Sequence, residues 1–294
     1  MIPADIIRKV NRIRIRTRKA VIESFAGHYH SVFKGQGIEF HEVREYYPGD
    51  DIRWIDWNVT ARMGHPYVKK FIEERELTVM LLLDLSRSLA FGSGRQLKRE
   101  TAAEVAAVLA FSAVLNSDRV GAVLFTDRVE LFTPPRKDTR HVLRMIRDIL
   151  FFEPRSYATR LSTALEFLNR VTRRRSTCFL ISDFLTEEDF YRPLSITAQR
   201  HDLVAIRILD PRELTWPKCG LVEWEDLETG NRCLTDTASR HVRQVFSRSR
   251  LSFSRRLRET FASQDIDFLE LRTDEPYDQA LLNFFRLREL RYRR

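Results

Sequence analysis

Two neighbouring runs restrict this chain more than any others: Glu76–Asp84, "ELTVMLLLD", and Glu100–Leu115, "ETAAEVAAVLAFSAVL". A strand with one wet face alternates apolar and polar residues, whereas the first run is apolar almost throughout and so belongs in the middle of a sheet covered on both faces. The second is apolar nearly all round, as a helix is when it is buried beside such a strand. Strand-like and helix-like runs then alternate to the end of the chain. Arg119–Thr126 and Arg128–Pro135 read as two strands of a hairpin around Asp127, followed by helices at about 138–151 and 161–171. Strands over 176–184 and 202–210 flank a helix over 187–200, and a last strand and helix occupy 266–272 and 277–290. Gly220–Thr237 reads as an inserted hairpin turning at Thr229-Gly230-Asn231. The helix after it places Val242, Val245, Phe246, Phe253, Leu257 and Phe261 on one face and arginines on the other. The pattern predicts an α/β domain over residues 76–294, built on a doubly wound, mostly parallel sheet.

Residues 1–75 differ in kind. A basic helix is expected first, then short strands and turns forming a platform packed on the main domain. "YYPGDDIRWIDWNVTAR" gathers Arg44, Asp50, Asp51, Arg53, Asp56 and Arg62 around Trp54 and Trp57. Paired carboxylates can do acid/base work or hold a second metal. With no nucleophile or phosphate loop beside them, the preferred reading is an Arg–carboxylate network that pins this platform to the main domain. Asp56 and Trp57 are expected to anchor it through buried hydrogen bonds and aromatic area, and Pro48-Gly49-Asp50-Asp51 is a turn signal.

The function turns on "LLLDLSRSLAFGSG", Leu81–Gly94, where a strand gives way to alternating oxygen-bearing side chains. In open α/β sheets ligands bind beyond the carboxyl ends of the strands, and Asp84 stands at such an end. "FGSGRQLK" has neither the spacing nor the Lys-Ser/Thr ending of a phosphate loop, and Gly92-Ser93-Gly94 is not continued as a dinucleotide fingerprint. Ser86, between Leu85 and Arg87, lacks the glycines of a nucleophile elbow. His28, His30, His41, His65, His141, His201 and His241 stand in no triad context. Asp84, Ser86 and Ser88 in D-x-S-x-S order instead suit a hard cation such as Mg²⁺, which takes about six oxygens in an octahedron. Thr159, just before a helix, and Asp183, at the end of a neighbouring strand, are the expected further ligands. The alternative is that Asp84 and Ser86 cap the following helix.

That constellation resembles the metal-ion-dependent adhesion site of von Willebrand factor type A domains, in which a partner's acidic side chain completes the octahedron. The resemblance implies a von Willebrand A-like, Rossmann-type fold. It also implies that the Asp and both Ser hydroxyls coordinate, with the Thr or second Asp acting directly or through water. Two positions depart from the common pattern: Tyr157-Ala158 precede Thr159 where Gly-Gly is frequent, and Phe184 follows Asp183 where many members have Gly. A longer resemblance covers most of the chain. The stretch from Ser31 to Gly94, "HDLVAIRILDPRE", "LETG" and the closing "FFRLR" look like the bacterial domain-of-unknown-function family numbered fifty-eight, often encoded beside MoxR-type AAA+ ATPases. It implies a non-enzymatic adaptor or co-chaperone that contacts such an ATPase or its client through an acidic side chain.

Composition limits the alternatives. The net charge is +9 and the pI about 9.7, with arginines concentrated at Arg8–Lys19, Arg240–Arg258 and Arg286–Arg294. Such clusters allow nucleic-acid or anionic-surface binding as an alternative function, with peripheral membrane contact. No zinc finger or aromatic RNP-like strand supports nucleic acid as the partner. A metal-dependent hydrolase is a further alternative, without an evident general base near Asp84. Cys178, Cys219 and Cys233 form neither a disulfide framework nor a zinc site, and no run resembles a membrane span or a signal peptide, so a reduced cytoplasmic protein is expected. No feature of the sequence fixes an oligomeric state.

Overall fold

The computed structural model describes Val10, Ile13 and residues 39–72, 76–94, 96–227 and 230–292. The expected basic helix at the N-terminus thus lies outside the described residues apart from Val10 and Ile13, both helical. The chain divides into two compact units, residues 33–77 and the remainder.

In the larger unit a six-stranded sheet is built from β3 (Thr78–Asp84), β4 (Arg119–Phe125), β5 (Val129–Arg136), β6 (Thr177–Ser182), β7 (Asp202–Leu209) and β10 (Asp267–Arg272). Their order across the sheet is β10-β7-β6-β3-β4-β5. All pairs are parallel except β4–β5, the hairpin expected around Asp127. Numbered within the sheet this is 3-2-1-4-5-6 with an antiparallel edge, the doubly wound order of a von Willebrand A-like domain. The direction of winding reverses between β3 and β6, so their carboxyl ends flank the crevice.

The helices of this unit are α2 (Lys98–Leu115), α3 (Thr139–Phe151), α4 (Leu161–Val171), α5 (Tyr191–Arg200), α6 (Arg240–Ser263) and α7 (Tyr277–Tyr292). Strand periodicity sends Met80 and Leu82 to one face, where they meet Leu161, Leu165 and Leu168 of α4, Leu194 of α5, and Leu257 and Phe261 of α6. Contacts of α2 with β3, β4 and β7, and of α3 with β4, supply the other cover. β3 is buried from Val79 to Asp84, as its unbroken apolar run requires, and α2 buries Ala102 to Ala110 without interruption. Cys178 is buried in the core, whereas Cys219 and Cys233 are free and exposed.

Two expected details differ. Residues 187–190 stay outside α5, which begins at Tyr191. On α6 Val245 is exposed: the helix is fastened toward its C-terminal end by Ser254, Leu257 and Phe261, while its N-terminal half is held through Phe246, stacked on Trp216 with ring centroids 3.9 Å apart. Trp216 stacks in turn on Trp224 of β8 (Leu221–Glu225), which pairs with β9 (Arg232–Asp236) as the inserted hairpin. Among the described residues no helix is long and apolar enough to cross a membrane.

The smaller unit pairs β1 (Glu39–Glu45) antiparallel with β2 (Tyr67–Ile72). Between them, where short strands and turns were expected, stands a short helix, α1 (Trp57–Met63). Asp56 is its N-cap, accepting from the amides of Asn58 and Val59 at 3.0 and 3.2 Å, and Gly64 ends it at φ +76°, a conformation favoured in glycine. Arg44 clasps Asp50 through both guanidinium nitrogens at 2.8 and 2.7 Å, and Arg53 clasps Asp51. Both pairs join residues within the smaller unit, six and two positions apart. Trp57 departs from expectation: it is 69% exposed and buries little aromatic area. As the first residue of α1, after its cap, it projects from the turn.

Candidate metal site

The parallel register of β3 with β6 pairs Leu83 with Ile181, so Asp84 comes level with Ser182 and Asp183 lies one residue beyond. Asp84 Oδ1 accepts from the Ser86 amide at 2.8 Å, and Oδ2 accepts from the Ser182 hydroxyl at 2.6 Å. Ser182 Oγ accepts in turn from the Phe184 amide at 2.9 Å. Phe184 has φ +58°, the left-handed region that glycine enters without a steric cost, and its ring is buried against Phe261. Here the buried aromatic area offsets the strain.

Beyond Asp84 the chain makes a short 3-10 turn, Arg87–Ala90, which brings the hydroxyls of Ser86 and Ser88 to 3.0 Å from each other. Ser86 precedes the turn without capping it through its side chain. The capping alternative therefore fails for Ser86, while Asp84 does receive an amide locally. The Arg87 amide donates to the Tyr157 carbonyl at 3.1 Å, and the Arg160 amide to that of Thr126 at 3.2 Å. These bonds draw the loop carrying Thr159 to the same end of the sheet. Thr159 is buried, and its carbonyl accepts from the Thr186 hydroxyl at 3.3 Å.

Asp183 is fully buried and carries a partner that the sequence did not suggest. Its Oδ2 accepts from Lys98 Nζ at 2.6 Å, and its Oδ1 from the Leu185 amide at 3.1 Å. Lys98 Nζ also donates to Glu213 Oε1 at 2.5 Å. Glu213 is held by the Asp210 amide, and Asp210 in turn accepts from the amide and hydroxyl of Ser93 at 2.7 and 2.5 Å. Burial opposes the charge on Lys98, but Asp183 and Glu213 outweigh it and leave the ammonium more basic than usual. Burial, with the Asp183 charge nearby, pushes the Asp84 carboxyl up to about 7.

The turn offers a partial set of oxygens for a divalent cation, with no group of three or more His, Cys, Asp or Glu that could hold one among the described residues. Two oxygens on one edge of an octahedron about a metal at 2.0–2.1 Å stand about 3 Å apart. The Ser86 and Ser88 hydroxyls, hydrogen-bonded to each other at 3.0 Å, have that separation beside a carboxylate with no basic side chain in hydrogen-bond reach among the described residues. Ser182, Lys98, Glu213 and Asp210 were not anticipated. Ser182 sits inside an apolar run, and the other three come from distant segments with no motif linking them.

A family model described as "Protein of unknown function DUF58" matches residues 42–255. Uncharacterized protein Rv1480 of Mycobacterium tuberculosis is 34% identical over 262 residues, spanning 88% of this chain and 82% of its own length. Uncharacterized protein Mb1516 of Mycobacterium bovis matches to the same extent. Among solved structures, an aerotolerance-related membrane protein from Bacteroides fragilis superposes with a TM-score of 0.49 at 14% identity, over 72% of this chain and 99% of its own. The SpRpn10 VWA domain superposes with a TM-score of 0.40 at 13% identity, over 71% of this chain and 94% of its own. With a family match across residues 42–255 and mycobacterial relatives at 34% identity, the chain belongs to the DUF58 family.

Proposed function

We propose that this chain is a protein-interaction module rather than an enzyme, and that it recognises its partner through a divalent cation, Mg²⁺, at the Asp84–Ser88 turn. Asp84, Ser86 and Ser88 would hold the ion, with Thr159 and Asp183 acting directly or through water. When bound, the ion supplies a coordination position for a carboxylate oxygen of the partner, a MoxR-type AAA+ ATPase or its client. The observation that carries this reading is the 3.0 Å separation of the Ser86 and Ser88 hydroxyls at the end of β3. Exposed Arg87, whose guanidinium lies 5.3 Å from the centre of the half-exposed Tyr157 ring, adds positive charge that would draw a carboxylate toward the turn.

The test pairs calorimetric titration of Mg²⁺ with pull-down of the MoxR-type ATPase of the same organism. Asp84→Ala and chelation should each abolish both signals while the circular dichroism of the fold persists. Undiminished capture under both treatments removes the metal bridge.

A second reading is supported by α6, where Arg240, Arg248 and Arg255 are exposed and form no ion pair among the described residues. An anionic surface bound there should be released steeply by salt and be indifferent to chelation.

A further inference from the structure

Lys98 opens α2 with its side chain fully buried. Both features oppose an ammonium: burial strips its water, and the N-terminus of a helix carries the positive end of the macrodipole. Asp183 and Glu213 hold it there from the ends of two other elements, at 2.6 and 2.5 Å. Glu213 closes a short turn after β7, and its second oxygen accepts from the Asp210 amide at 2.9 Å, so the clamp is fixed on both sides. The ammonium sits on the Asp183 carboxylate, while Asp84 has no basic partner among the described residues.

We propose that Lys98 is a resident cation that withdraws Asp183 from direct coordination of the metal and leaves it to act through water. Among the described residues Asp84 is then the one carboxylate of the site left to coordinate directly, and a divalent ion is held firmly only when a partner's carboxylate joins it. This rests on the metal-bridge reading above and deepens it. An ammonium and a divalent ion sharing one carboxylate repel each other, and affinity for hard cations rises with the number of charged ligands. The site thus binds the ion alone measurably but weakly, and an acidic partner tightens it. Lys98 is a positioning residue in this scheme, acting through Asp183.

The test uses the full chain, Mn²⁺ alone as the probe, and the paramagnetic signal of free Mn²⁺ as the readout. Two charge-neutral double variants separate the outcomes. Lys98→Met with Asp183→Asn removes the ion pair, and its Mn²⁺ affinity should stay within about twofold of the parent. Lys98→Met with Glu213→Gln removes the ammonium but leaves Asp183 free, and should bind Mn²⁺ about tenfold more tightly. A purely structural lysine would leave both affinities unchanged. Tenfold weakening in the first variant, or no tightening in the second, overturns the proposal, and if one variant fails to fold the other decides. Mn²⁺ bound by the parent but lost with Asp183→Asn in the first variant defeats this inference alone. Absence of Mn²⁺ binding in the parent and both variants defeats the metal bridge itself.

Discussion

Replacing Asp84 by Asn should flatten the pH dependence of stability in the chelated protein. The ordinary carboxyl value is 3.8, and in the folded chain burial and the nearby Asp183 charge raise Asp84 to about 7. Below pH 3.8 folded and unfolded chains both hold the proton, so the group contributes nothing. Between these values the folded chain keeps a proton that the unfolded chain has released, so stability falls as pH rises, by about 1.4 kcal/mol per unit. Above the folded value both are ionised and the loss is complete. From pH 5 to pH 8 Asp84 should therefore remove about 2–3 kcal/mol. Asn carries no charge, and its amide can donate to Ser182 Oγ as the protonated carboxyl would, while its one oxygen accepts from the Ser86 amide. Urea denaturation in EDTA at pH 5 and pH 8 reads the difference. The variant should lack the parent's decline toward pH 8. An equal decline in both proteins refutes the assignment of this charge to Asp84. Mg²⁺ at pH 8 should restore the parent and not the variant.

Three further outcomes follow from the packing. Phe261, fully buried with its ring 5.2 Å from Phe184 and 4.9 Å from Phe268, should cost about 3–5 kcal/mol in denaturant unfolding when truncated to Ala. Phe184→Gly relaxes the positive φ yet empties the same cluster, so the melting temperature should drop; a rise would mean that backbone strain dominates there. Asp56→Ala removes the cap of α1 and the ion pair with Lys69 at 3.4 Å, and should weaken the smaller unit by about 1 kcal/mol in hydrogen exchange. It should leave Mg²⁺ calorimetry unchanged, and a selective loss of metal binding would reverse the structural reading of the signature.

The sheet was legible because its residues leave few choices. An unbroken apolar strand such as Val79–Leu83 must be covered on both faces, and the parallel neighbours that allow this need crossover helices, which the alternating periodicity marks out. The D-x-S-x-S order was legible for a similar reason, since hydroxyls two residues apart after a strand end share one turn. Helix α1 was not: seven residues with a polar cap, lying among turn signals, have too little periodicity to stand out. Nor was the exposure of Trp57 and Val245, because an apolar residue on a helix face is buried only if something lies opposite it.

By itself, the sequence determined the α/β alternation, the central position of β3 and the oxygen-rich turn that follows it. These rest on local periodicity and on spacings of a few residues, which the backbone geometry of strands and helices translates directly. Only the tertiary structure decided the company those oxygens keep. Ser182 reaches Asp84 because parallel register sets β6 beside β3. Lys98 reaches Asp183 and Glu213 across 85 and 115 residues of chain because α2 starts at the edge of the sheet where β6 and β7 end. Such long-range charge pairing leaves no periodic trace in the sequence, since it depends on which strand ends the winding of the sheet places together.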